Sequence, residues 1–452
     1  MHLIEQAILS TVKLMPERPI AIAYSGGVDS QVLLHAISQL KQRGDITNEI
    51  VACHIHHGLS RFADDWQVFC RQQAEVQNVG FVTANVELKI TAQQSVEAIA
   101  REARYQAFKR LLPENSVILT GHHLDDQAET VLLALKRGAG VAGLSAMKSS
   151  TCLFDREICR PLLAISREQI EQYASTNDIE YIDDDSNTNE QFDRNFIRHQ
   201  IMPVLSERWQ SITHTIARSA MHCQQSQALL DELAQQDQES ACNHDSALAI
   251  DKLMSLSLER RNNLLRFVLK RDYDVVPSSA QLNEINVQMI AQGDKTPEVR
   301  ISDIMVRRFQ QALYFTPVFG DVSHWLYTFA AEQIADVVVE LPDNIGRIEF
   351  KDTPTNCTEK VQVIAPKDGQ QVELRFTHNN PKCLPDYRNH SKELKKILQE
   401  LKIAPWQRKR IPFLYYDDEL VAAMGYFVCK PFAPNTSSTN LTLNYYFEQD
   451  SR

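Results

Sequence analysis

Six residues near the start of the chain have the types and spacing of an anion-binding loop. The run Ser25-Gly26-Gly27-Val28-Asp29-Ser30 lies between an apolar, strand-like segment at 19–24 and a helix-like segment at 31–37. A loop that ends a strand and begins a helix brings backbone N–H groups and hydroxyls to the positive end of the helix macrodipole, where phosphate binds well. The run lacks the Gly-x-x-x-x-Gly-Lys-Ser/Thr pattern, so it predicts a phosphate site without a P-loop lysine.

A second set of candidate residues is Gly121-His122-His123-Leu124-Asp125-Asp126-Gln127-Ala128-Glu129-Thr130. Asp125 and Asp126 begin a predicted helix, where carboxylates act as caps. Glu129 lies three residues after Asp126 and therefore on the same helix face. A carboxylate pair beside a nucleotide can hold Mg²⁺, bind a substrate ammonium or accept its proton, and simple capping is the alternative.

Two arginines and two histidines add candidate contacts. Arg101 and Arg104 lie one turn apart on a predicted helix, and a guanidinium group suits a carboxylate or a phosphate. Ion pairs with neighbouring glutamates on that helix are the alternative for them. His56 and His57 have no carboxylate or thiolate at metal-ligand spacing, which favours a structural or substrate-contact role over metal binding.

The elements that must position these residues alternate between strand and helix. The predicted strands are 19–24, 49–55, 81–87 and 116–120, and the predicted helices are 29–42, 61–78, 95–112 and 125–137. Such alternation predicts a doubly wound parallel sheet covered on both faces. Ligands of these sheets bind outside the carboxyl ends of the strands, and Ser25, His56 and Gly121 each follow a predicted strand. We therefore expect three loops to converge on one site.

The remainder of the chain has a different pattern. A stretch at 206–240 without Pro or Gly predicts one long helix, and apolar residues recur at helical spacing over 248–287. Strand-like segments follow at 298–301, 312–315, 337–341 and 372–376. We predict a catalytic domain at 1–208, a small, mainly helical domain at 209–318 and an α+β domain at 319–452.

Composition limits the class of protein. The 452 residues suffice for two to four domains, and 43% of them are apolar. Nine cysteines without a Cys-x-x-Cys pair predict reduced thiols, and the absence of an apolar run long enough for a membrane span or signal peptide predicts a cytoplasmic protein. The net charge of −11 does not indicate nucleic-acid binding, but the basic segment 392–410 is equally consistent with a phosphate-binding patch and a solvated helix face.

The motifs together resemble a known family. The run at 25–30 resembles the pyrophosphate-binding loop of the ATP pyrophosphatase (PP-loop) superfamily, and the whole set of motifs, in its order, resembles tRNA(Ile)-lysidine synthetase. The further motifs are His-x-His-His-Gly-Leu at 54–59, Ala-Arg-x-x-Arg-Tyr at 100–105, the run at 121–130, Arg-Pro-Leu-Leu at 160–163, the segment 183–198, Leu-Lys-Lys at 394–396 and Pro-Trp-x-Arg at 405–408. One departure is Asn389-His390, where the family has glycine.

The resemblance implies a reaction and its participants. ATP adenylates the C2 oxygen of the wobble cytidine in the isoleucine tRNA with a CAU anticodon, and the ε-amine of free lysine then displaces AMP to form lysidine. The expected cofactors are ATP and Mg²⁺. The expected partners are that tRNA and free L-lysine. The oligomeric state is open, and a homodimer is one possibility.

The resemblance also assigns residues. The catalytic residues would be Asp126, Glu129 and Arg104, and Mg²⁺ would bind Asp29 and Asp126. The ATP-binding residues would be Ser25, Gly26, Gly27, Val28, Asp29, Ser30, His56 and His57. Lysine would bind through Arg104 or Arg101 for its carboxylate and through Asp126 and Glu129 for its ammonium, with Asp126 as the base. The tRNA contacts would include Arg194, Lys395, Lys396 and Arg408.

Three alternatives remain at this point. Another ligase of the superfamily could make a small metabolite, and a tRNA thiolase could use the same loop but should carry a cysteine pair. A non-catalytic nucleotide- or RNA-binding module is the third, and it should have lost its carboxylates. Asp125, Asp126 and Glu129 are all present.

Overall fold

The computed structural model describes residues 1–56, 58, 62–86, 96–183, 189–243, 247–290, 297–334, 337–350, 359–436 and 438–447. The chain divides into two compact units, Met1–Leu230 and Asp231–Arg452. The predictions for His57, Cys357 and residues 184–188 of the 183–198 segment lie outside the described residues.

The first unit is built on one sheet. Its strands are β1 (Ile20–Ala23), β2 (Ile50–His56), β3 (Gly80–Asn85), β4 (Val117–Leu119), β5 (Ser150–Leu153) and β6 (Arg156–Cys159), in the order β3-β2-β1-β4-β6-β5. The pairs from β3 through β6 are parallel, and β5 is an antiparallel edge strand. The predicted parallel sheet is confirmed, whereas the β5–β6 hairpin was not predicted.

Helices cover both faces of this sheet. One face packs against α1 (Leu3–Val12), α2 (Val28–Gln42), α3 (Ala63–Val76) and α7 (Arg167–Thr176), and the other against α4 (Val96–Leu111). The further helices are α5 (Leu124–Lys136), α6 (Val141–Leu144), α8 (Asp193–Phe196), α9 (Met202–Arg208) and α10 (Ile212–Ala241). Ile20 and Ile22 of β1 are buried in one apolar cluster and Ala21 between them is buried in another. Because successive side chains of a strand point to opposite faces, this division explains why β1 is apolar throughout.

The long helix begins later than its composition predicts. A single π-helical turn at Ile197–Ile201 joins α8 to α9. Helix α9 ends at Arg208, directly before Trp209, whose extended backbone has φ −134° and ψ 94°. The chain therefore breaks between α9 and α10, and the uninterrupted helix starts at Ile212 instead of residue 206. No described helix is long and apolar enough to cross a membrane.

The second unit begins with helices and a small antiparallel sheet. The elements are β7 (Leu248–Ala249), α11 (Ile250–Ser255), α12 (Leu258–Tyr273), α13 (Ser279–Ile290), β8 (Glu298–Ile301), β9 (Ile304–Phe309) and β10 (Ala312–Pro317). The strands pair in the order β7-β10-β9-β8 around an apolar core shared with the helices. The predicted helices are present, and the two predicted strands belong to a sheet that β7 and β9 complete.

The remainder of the second unit is mostly strand. Its elements are β11 (Leu326–Ala330), β12 (Val338–Leu341), β13 (Gly346–Phe350), β14 (Glu359–Ile364), β15 (Gln371–Arg375), β16 (Lys382–Cys383), β17 (Lys392–Glu393), α14 (Leu394–Glu400), α15 (Pro405–Arg408), β18 (Phe413–Tyr416), β19 (Glu419–Ala423), β20 (Phe427–Val428) and β21 (Asn440–Phe447). The sheets β11-β15-β18-β19-β20 and β12-β13-β21-β14 share one apolar core, as in a sandwich. The α+β class expected for this part of the chain is confirmed.

Candidate active site

The loop at 25–30 is a phosphate cradle built around one hydroxyl. The Gly26 N–H donates to Ser30 Oγ at 3.0 Å, and that hydroxyl donates to the Gly27 carbonyl at 2.9 Å. Ser25 Oγ lies 3.2 Å from Ser30 Oγ. No described side chain caps α2 at Gly27, so the first N–H groups of the helix are left for a ligand. This arrangement fits an anion at the positive end of α2.

Two glycines allow the close approach of neighbouring elements to this loop. Gly26 has φ +88°, and a Cβ there would lie 2.5 Å from Ile182 Cδ1 and 2.8 Å from Cys70 Sγ. A Cβ on Gly121 would lie 3.0 to 3.1 Å from atoms of Asp29. The 121–130 loop can therefore pack directly on the first turn of α2, which brings the two predicted sets of residues together.

A buried histidine lies between three carboxylates of these two loops. His123 Nε2 is 3.7 Å from Asp29 Oδ1 and 3.5 Å from Asp126 Oδ2, and its Nδ1 is 3.5 Å from Asp125 Oδ2. Burial alone would lower the pKa of His123, but the three carboxylates outweigh burial and raise it. The charged imidazole in turn holds the pKa of Asp126 below its usual value, against the effect of that carboxyl's own burial.

Glu129 is the buried centre of an arginine network. Arg198 donates to it through Nε at 2.6 Å and through Nη2 at 2.9 Å, and Arg194 Nε donates at 3.1 Å. The Glu129 side chain is only 2% exposed. Arg198 also reaches Asp126 at 3.3 Å. Both oxygens of Glu129 thus accept hydrogen bonds from guanidinium groups, which would compete with a substrate ammonium for this carboxylate.

Arg167 links the two loops from the start of α7. Its Nη1 donates to both oxygens of Asp29 at 3.0 and 3.1 Å, and its backbone N–H donates to Asp125 Oδ2 at 2.8 Å. Sequence reasoning missed this residue, since nothing local distinguishes it from other surface arginines. It also left Arg198 without a role, although the i, i+4 spacing from Arg194 is a usable signal.

The paired arginines on α4, Arg101 and Arg104, are exposed, and their contact with a substrate stays a prediction. Arg101 lies near His122, whose pKa falls to about 4 because of burial, with repulsion from Arg101 and other arginines contributing. His122 is therefore neutral at pH 7, and its Nδ1 lies 2.7 Å from Thr120 Oγ1. On the same helix, the guanidinium group of Arg101 lies 5.3 Å from the ring centroid of Tyr105.

His56 has a carboxylate neighbour that its sequence spacing did not reveal. Its Nε2 lies 3.1 Å from Asp64 Oδ1 at the start of α3. The ring is 13% exposed, at the carboxyl end of β2. His56 is the last residue of β2, and its contact with a nucleotide stays a prediction.

Asp29 and Asp126 are the two carboxylates predicted to bind Mg²⁺. Both lie beside the same nitrogen of His123, at 3.7 and 3.5 Å. No group of three or more His, Cys, Asp or Glu suited to a metal ion occurs in the described part of the chain. Mg²⁺ commonly binds one or two carboxylates together with substrate phosphates, so these carboxylates stay candidate ligands for an ion that ATP would bring.

The basic segment in the second unit divides into exposed and anchored residues. Lys395 and Lys396 are exposed on α14, and Lys396 Nζ lies 3.2 Å from Glu393. Arg408 is half-buried, and its Nε donates to the Ile403 carbonyl at 2.7 Å. Lys395 and Arg408 line one pocket of about 400 Å³.

The aromatic residue of this segment, Trp406, is covered by protein. Trp406 is 7% exposed and packs edge-on against Phe309 and Tyr314, with ring centroids 5.8 and 5.6 Å away. The guanidinium of Arg307 covers its ring at 5.2 Å. The tryptophan therefore joins β9 and β10 to the C-terminal part of the unit, since its surface is taken up by protein.

The eight described cysteines are free thiols, in agreement with the prediction. Cys159 and Cys70 are buried at the sheet, and burial raises the pKa of Cys70 to about 12. A thiol of that kind is a poor nucleophile at neutral pH. No disulfide joins any two of the described cysteines.

Comparison with known proteins gives a consistent result. A family model described as a PP-loop domain matches residues 1–205, the TilS substrate binding domain matches 248–314, and the TilS substrate C-terminal domain matches 372–445. The tRNA(Ile)-lysidine synthase of Serratia proteamaculans is 40% identical over 91% of this chain and 92% of its own length, and that of Pectobacterium atrosepticum is 41% identical over 91% of each.

One further relative extends the match over nearly the whole chain. The tRNA(Ile)-lysidine synthase of Photorhabdus laumondii is 38% identical over 98% of both chains. Among solved structures, a U34-tRNA thiolase from Methanococcus maripaludis aligns with 48% of this chain and 77% of its own at 16% identity, and its TM-score of 0.42 is too low to carry an argument. The long matches to curated relatives confirm the resemblance drawn from the motifs: the chain belongs to the tRNA(Ile)-lysidine synthase family.

Proposed function

We propose that this chain ligates free L-lysine to C2 of the wobble cytidine in the isoleucine tRNA with a CAU anticodon. ATP would adenylate the C2 oxygen and release pyrophosphate, and the lysine amine would then displace AMP. The proposal combines family membership with one structural observation. The side chains of Asp125, Asp126 and Glu129 form what we call the carboxylate corner. The phosphate cradle and the carboxylate corner are a single site, because His123 and Arg167 each contact Asp29 of the cradle and Asp125 of the corner.

The loop at 25–30 serves the ATP half of the reaction. The matched PP-loop family uses ATP, and the N–H groups at the start of α2 are directed toward an anion. Ser25 and Ser30 supply hydroxyls to the same phosphate groups, and His56 lies at the neighbouring strand end. Mg²⁺ would be held by Asp29 and Asp126 and would neutralise phosphate charge there.

The carboxylate corner serves the lysine half. Lysine's ε-amine has an ordinary pKa near 10.4 and is protonated at pH 7, so it needs an anionic ligand and must lose a proton before attack. Asp126 is ionised because its pKa is lowered, which suits it to bind the ammonium. The same lowered pKa makes it a weak base, so proton transfer would accompany the attack. Glu129 would join Asp126 only after Arg194 or Arg198 releases it.

The arginine and lysine side chains are candidates to bind the carboxylate of lysine and the phosphates of the tRNA. Arg104 or Arg101, both exposed on α4, is our candidate for the lysine carboxylate. Arg194 is our candidate for tRNA contact near the cytidine. Phosphates of the tRNA elsewhere would meet Lys395, Lys396 and Arg408, because contacts outside one nucleotide are needed to select one tRNA.

The division of the chain into domains at 1–208, 209–318 and 319–452 stays a prediction. We propose that the second and third of these recognise the tRNA, in keeping with the substrate-binding descriptions of the matching models. A cytoplasmic location, where tRNA and lysine are both available, and a homodimer are part of the same proposal. Sedimentation equilibrium at several concentrations tests the dimer.

The test of the function is a reconstituted reaction. The full chain is incubated with ATP, Mg²⁺, radiolabelled lysine and a transcript of the tRNA, and lysine incorporation is measured together with AMP and pyrophosphate. We expect one lysine, one AMP and one pyrophosphate per tRNA. The control transcript carries uridine in place of the wobble cytidine and should accept none. Lysine-independent product, or equal labelling of the control, would show that the chain modifies RNA in another way.

A further inference from the structure

The phosphate cradle carries no cation of its own. No Lys or Arg occurs in the sequence between Arg18 and Lys41, and the one charged side chain within the loop is the Asp29 carboxylate. ATP brings several negative charges to this loop, and backbone N–H groups offset only part of them. Apart from the Mg²⁺ that would accompany ATP, any cation at this loop must be a side chain from another part of the fold.

In the described part of the chain, three arginines form ion pairs with Asp29, Asp126 or Glu129, and they differ in how firmly they are held. Arg194 and Arg198 pair with Glu129, whose side chain is 2% exposed. Arg167 pairs with Asp29 and Glu171, whose side chains are 29% and 54% exposed. Removing a partner from a buried carboxylate is costly, whereas an ion pair open to water contributes little. Of these three, Arg167 can change partners at the lowest cost.

Arg167 is also placed to reach phosphate without a change in the backbone. Its N–H is fixed by Asp125, and Ser166 and Gln169 close a capping box around the start of α7. Its guanidinium group already lies on Asp29, in the first turn of α2, beside the N–H groups that face the anion. The planar fork of arginine suits a carboxylate and a phosphate equally well, so one can replace the other.

We propose that Arg167 binds the pyrophosphate portion of ATP and that Asp29 holds it in position while the loop is empty. Asp29 repels phosphate as long as it faces the loop, and Arg167 neutralises it. When ATP enters, the guanidinium group passes from the carboxylate to a phosphate oxygen, which leaves Asp29 open to a metal ion. This inference rests on the ATP use contained in the proposed function, and it adds a substrate-binding residue outside the predicted set.

The first test measures the affinity of the full chain for pyrophosphate by isothermal titration calorimetry, with EDTA present to remove metal ions. Arg167→Gln should weaken pyrophosphate binding by about tenfold, and Arg167→Lys should restore part of it because a point charge replaces the fork. Arg18→Gln, which breaks an equally exposed ion pair with Glu157, is the matched control and should bind like the parent. Parent-like affinity in Arg167→Gln would overturn the assignment.

The second test addresses the exchange of partners. Asp29→Asn should strengthen pyrophosphate binding, and the gain should be clearly smaller when Arg167 is already Gln. An equal gain in both backgrounds would mean that Asp29 only repels the anion, which would refute the exchange. If Arg167→Gln does not fold, the same cycle is run with Arg167→Lys. Pyrophosphate binding needs neither tRNA nor lysine, so these results are independent of the lysidine assay.

Discussion

Asp126 lies where the charges of several loops meet. Its burial alone would favour the neutral acid, but His123, Arg194 and His122 lower its pKa, and the His123 N–H donates to Oδ2 at 3.1 Å. The side chain therefore combines two tasks. One oxygen caps α5, and the other faces Arg198 at 3.3 Å and is the one we assign to lysine.

Replacing Asp126 by Asn separates these tasks. An amide oxygen can keep the cap, but the anionic ligand of lysine and its proton acceptor are lost. We expect Asp126→Asn to bind tRNA as the parent does and to lower the rate of lysidine formation by about 100-fold or more. Filter binding and single-turnover lysine incorporation measure the two effects. Asp193→Asn, on an exposed carboxylate that pairs with Lys136, is the matched control, and a parent-like rate in Asp126→Asn would remove it from the mechanism.

Gly26 permits a prediction about stability at the same scale. Gly26→Ala places a methyl group 2.5 Å from Ile182 Cδ1 in a backbone with φ +88°, so strain and overpacking add. We expect a loss of about 2–4 kcal/mol in the free energy of unfolding. Gly44→Ala is the control, because it has φ +78° and nothing within 4 Å of the new Cβ. Urea titrations that give both variants the same loss would show that Ile182 yields without cost.

Between elements, the position of the phosphate loop depends on how α2 is fixed. Glu5 of α1 accepts hydrogen bonds from Arg43, directly after the last residue of α2, at 3.2 and 3.0 Å. The same carboxylate accepts the His2 N–H and so completes the cap of α1. Burial would raise the pKa of Glu5, but the contacts with Arg43 and the backbone outweigh it and lower the pKa.

This contact predicts a pH dependence of stability. Because the pKa of Glu5 is lower in the folded protein, the ionised form stabilises the fold above pH 4.5, and that contribution disappears as the pH falls through the folded pKa. Glu5→Gln should therefore cost about 1 kcal/mol near neutral pH and less in acid. Urea titrations near neutral pH and in acid measure the difference in the free energy of unfolding. Glu114→Gln, on an exposed carboxylate, serves as control, and a pH-independent cost for Glu5→Gln would argue against an ionic role.

At the level of the whole molecule, an acidic protein must bind a polyanion. The net charge of −11 makes local basic patches necessary for tRNA contact. Lys395 and Lys396 project from α14, whereas Arg408 is partly tied to the Ile403 carbonyl. We therefore expect the two lysines to contribute more to phosphate binding than the arginine does.

Neutralising Lys395, Lys396 and Arg408 together should weaken tRNA binding and flatten its salt dependence. Each lost phosphate contact lowers the slope of log K against log salt by roughly 0.7 to 0.9. The measurement is filter binding across a salt series. Lys360→Gln with Lys367→Gln removes two exposed charges from the same unit and is the control. An unchanged salt slope in the triple variant would exclude this segment from the tRNA interface.

Trp406 packs between parts of the second unit. We expect its replacement to lower stability without weakening tRNA binding, in contrast to the triple variant. Trp406→Ala removes contacts with Phe309, Tyr314 and Arg307, which should cost about 3–5 kcal/mol in the free energy of unfolding. Base stacking is not its role, so the folded fraction should bind tRNA as the parent does. Thermal unfolding and tRNA binding below the transition measure the two effects. Weakened tRNA binding with unchanged thermal stability would reverse this interpretation.

The sequence by itself determined the βα order of the first unit and the loops that carry its chemistry. Periods of two and 3.6 residues, and glycines between them, are local signals, so the bounds of β1, α2 and α5 follow from nearby residues. Parallel pairing then brings the loop at 25–30 and the run at 121–130 to one edge of the sheet. The reaction itself was inferred from the resemblance of the motifs to a known family.

Only the tertiary structure decided which charges meet. Arg198 reaches Glu129 across 69 residues of sequence, and Arg167 reaches Asp29 across 138. Trp406 is buried by strands almost 100 residues earlier in the chain, although its neighbours in sequence are basic and polar. Such partners are set by how helices cross the sheet and how sheets stack, and no local period encodes that. The six residues at 25–30 can be recognised as an anion-binding loop from the sequence. The arginine that lies against this loop, Arg167, is brought there only by the fold.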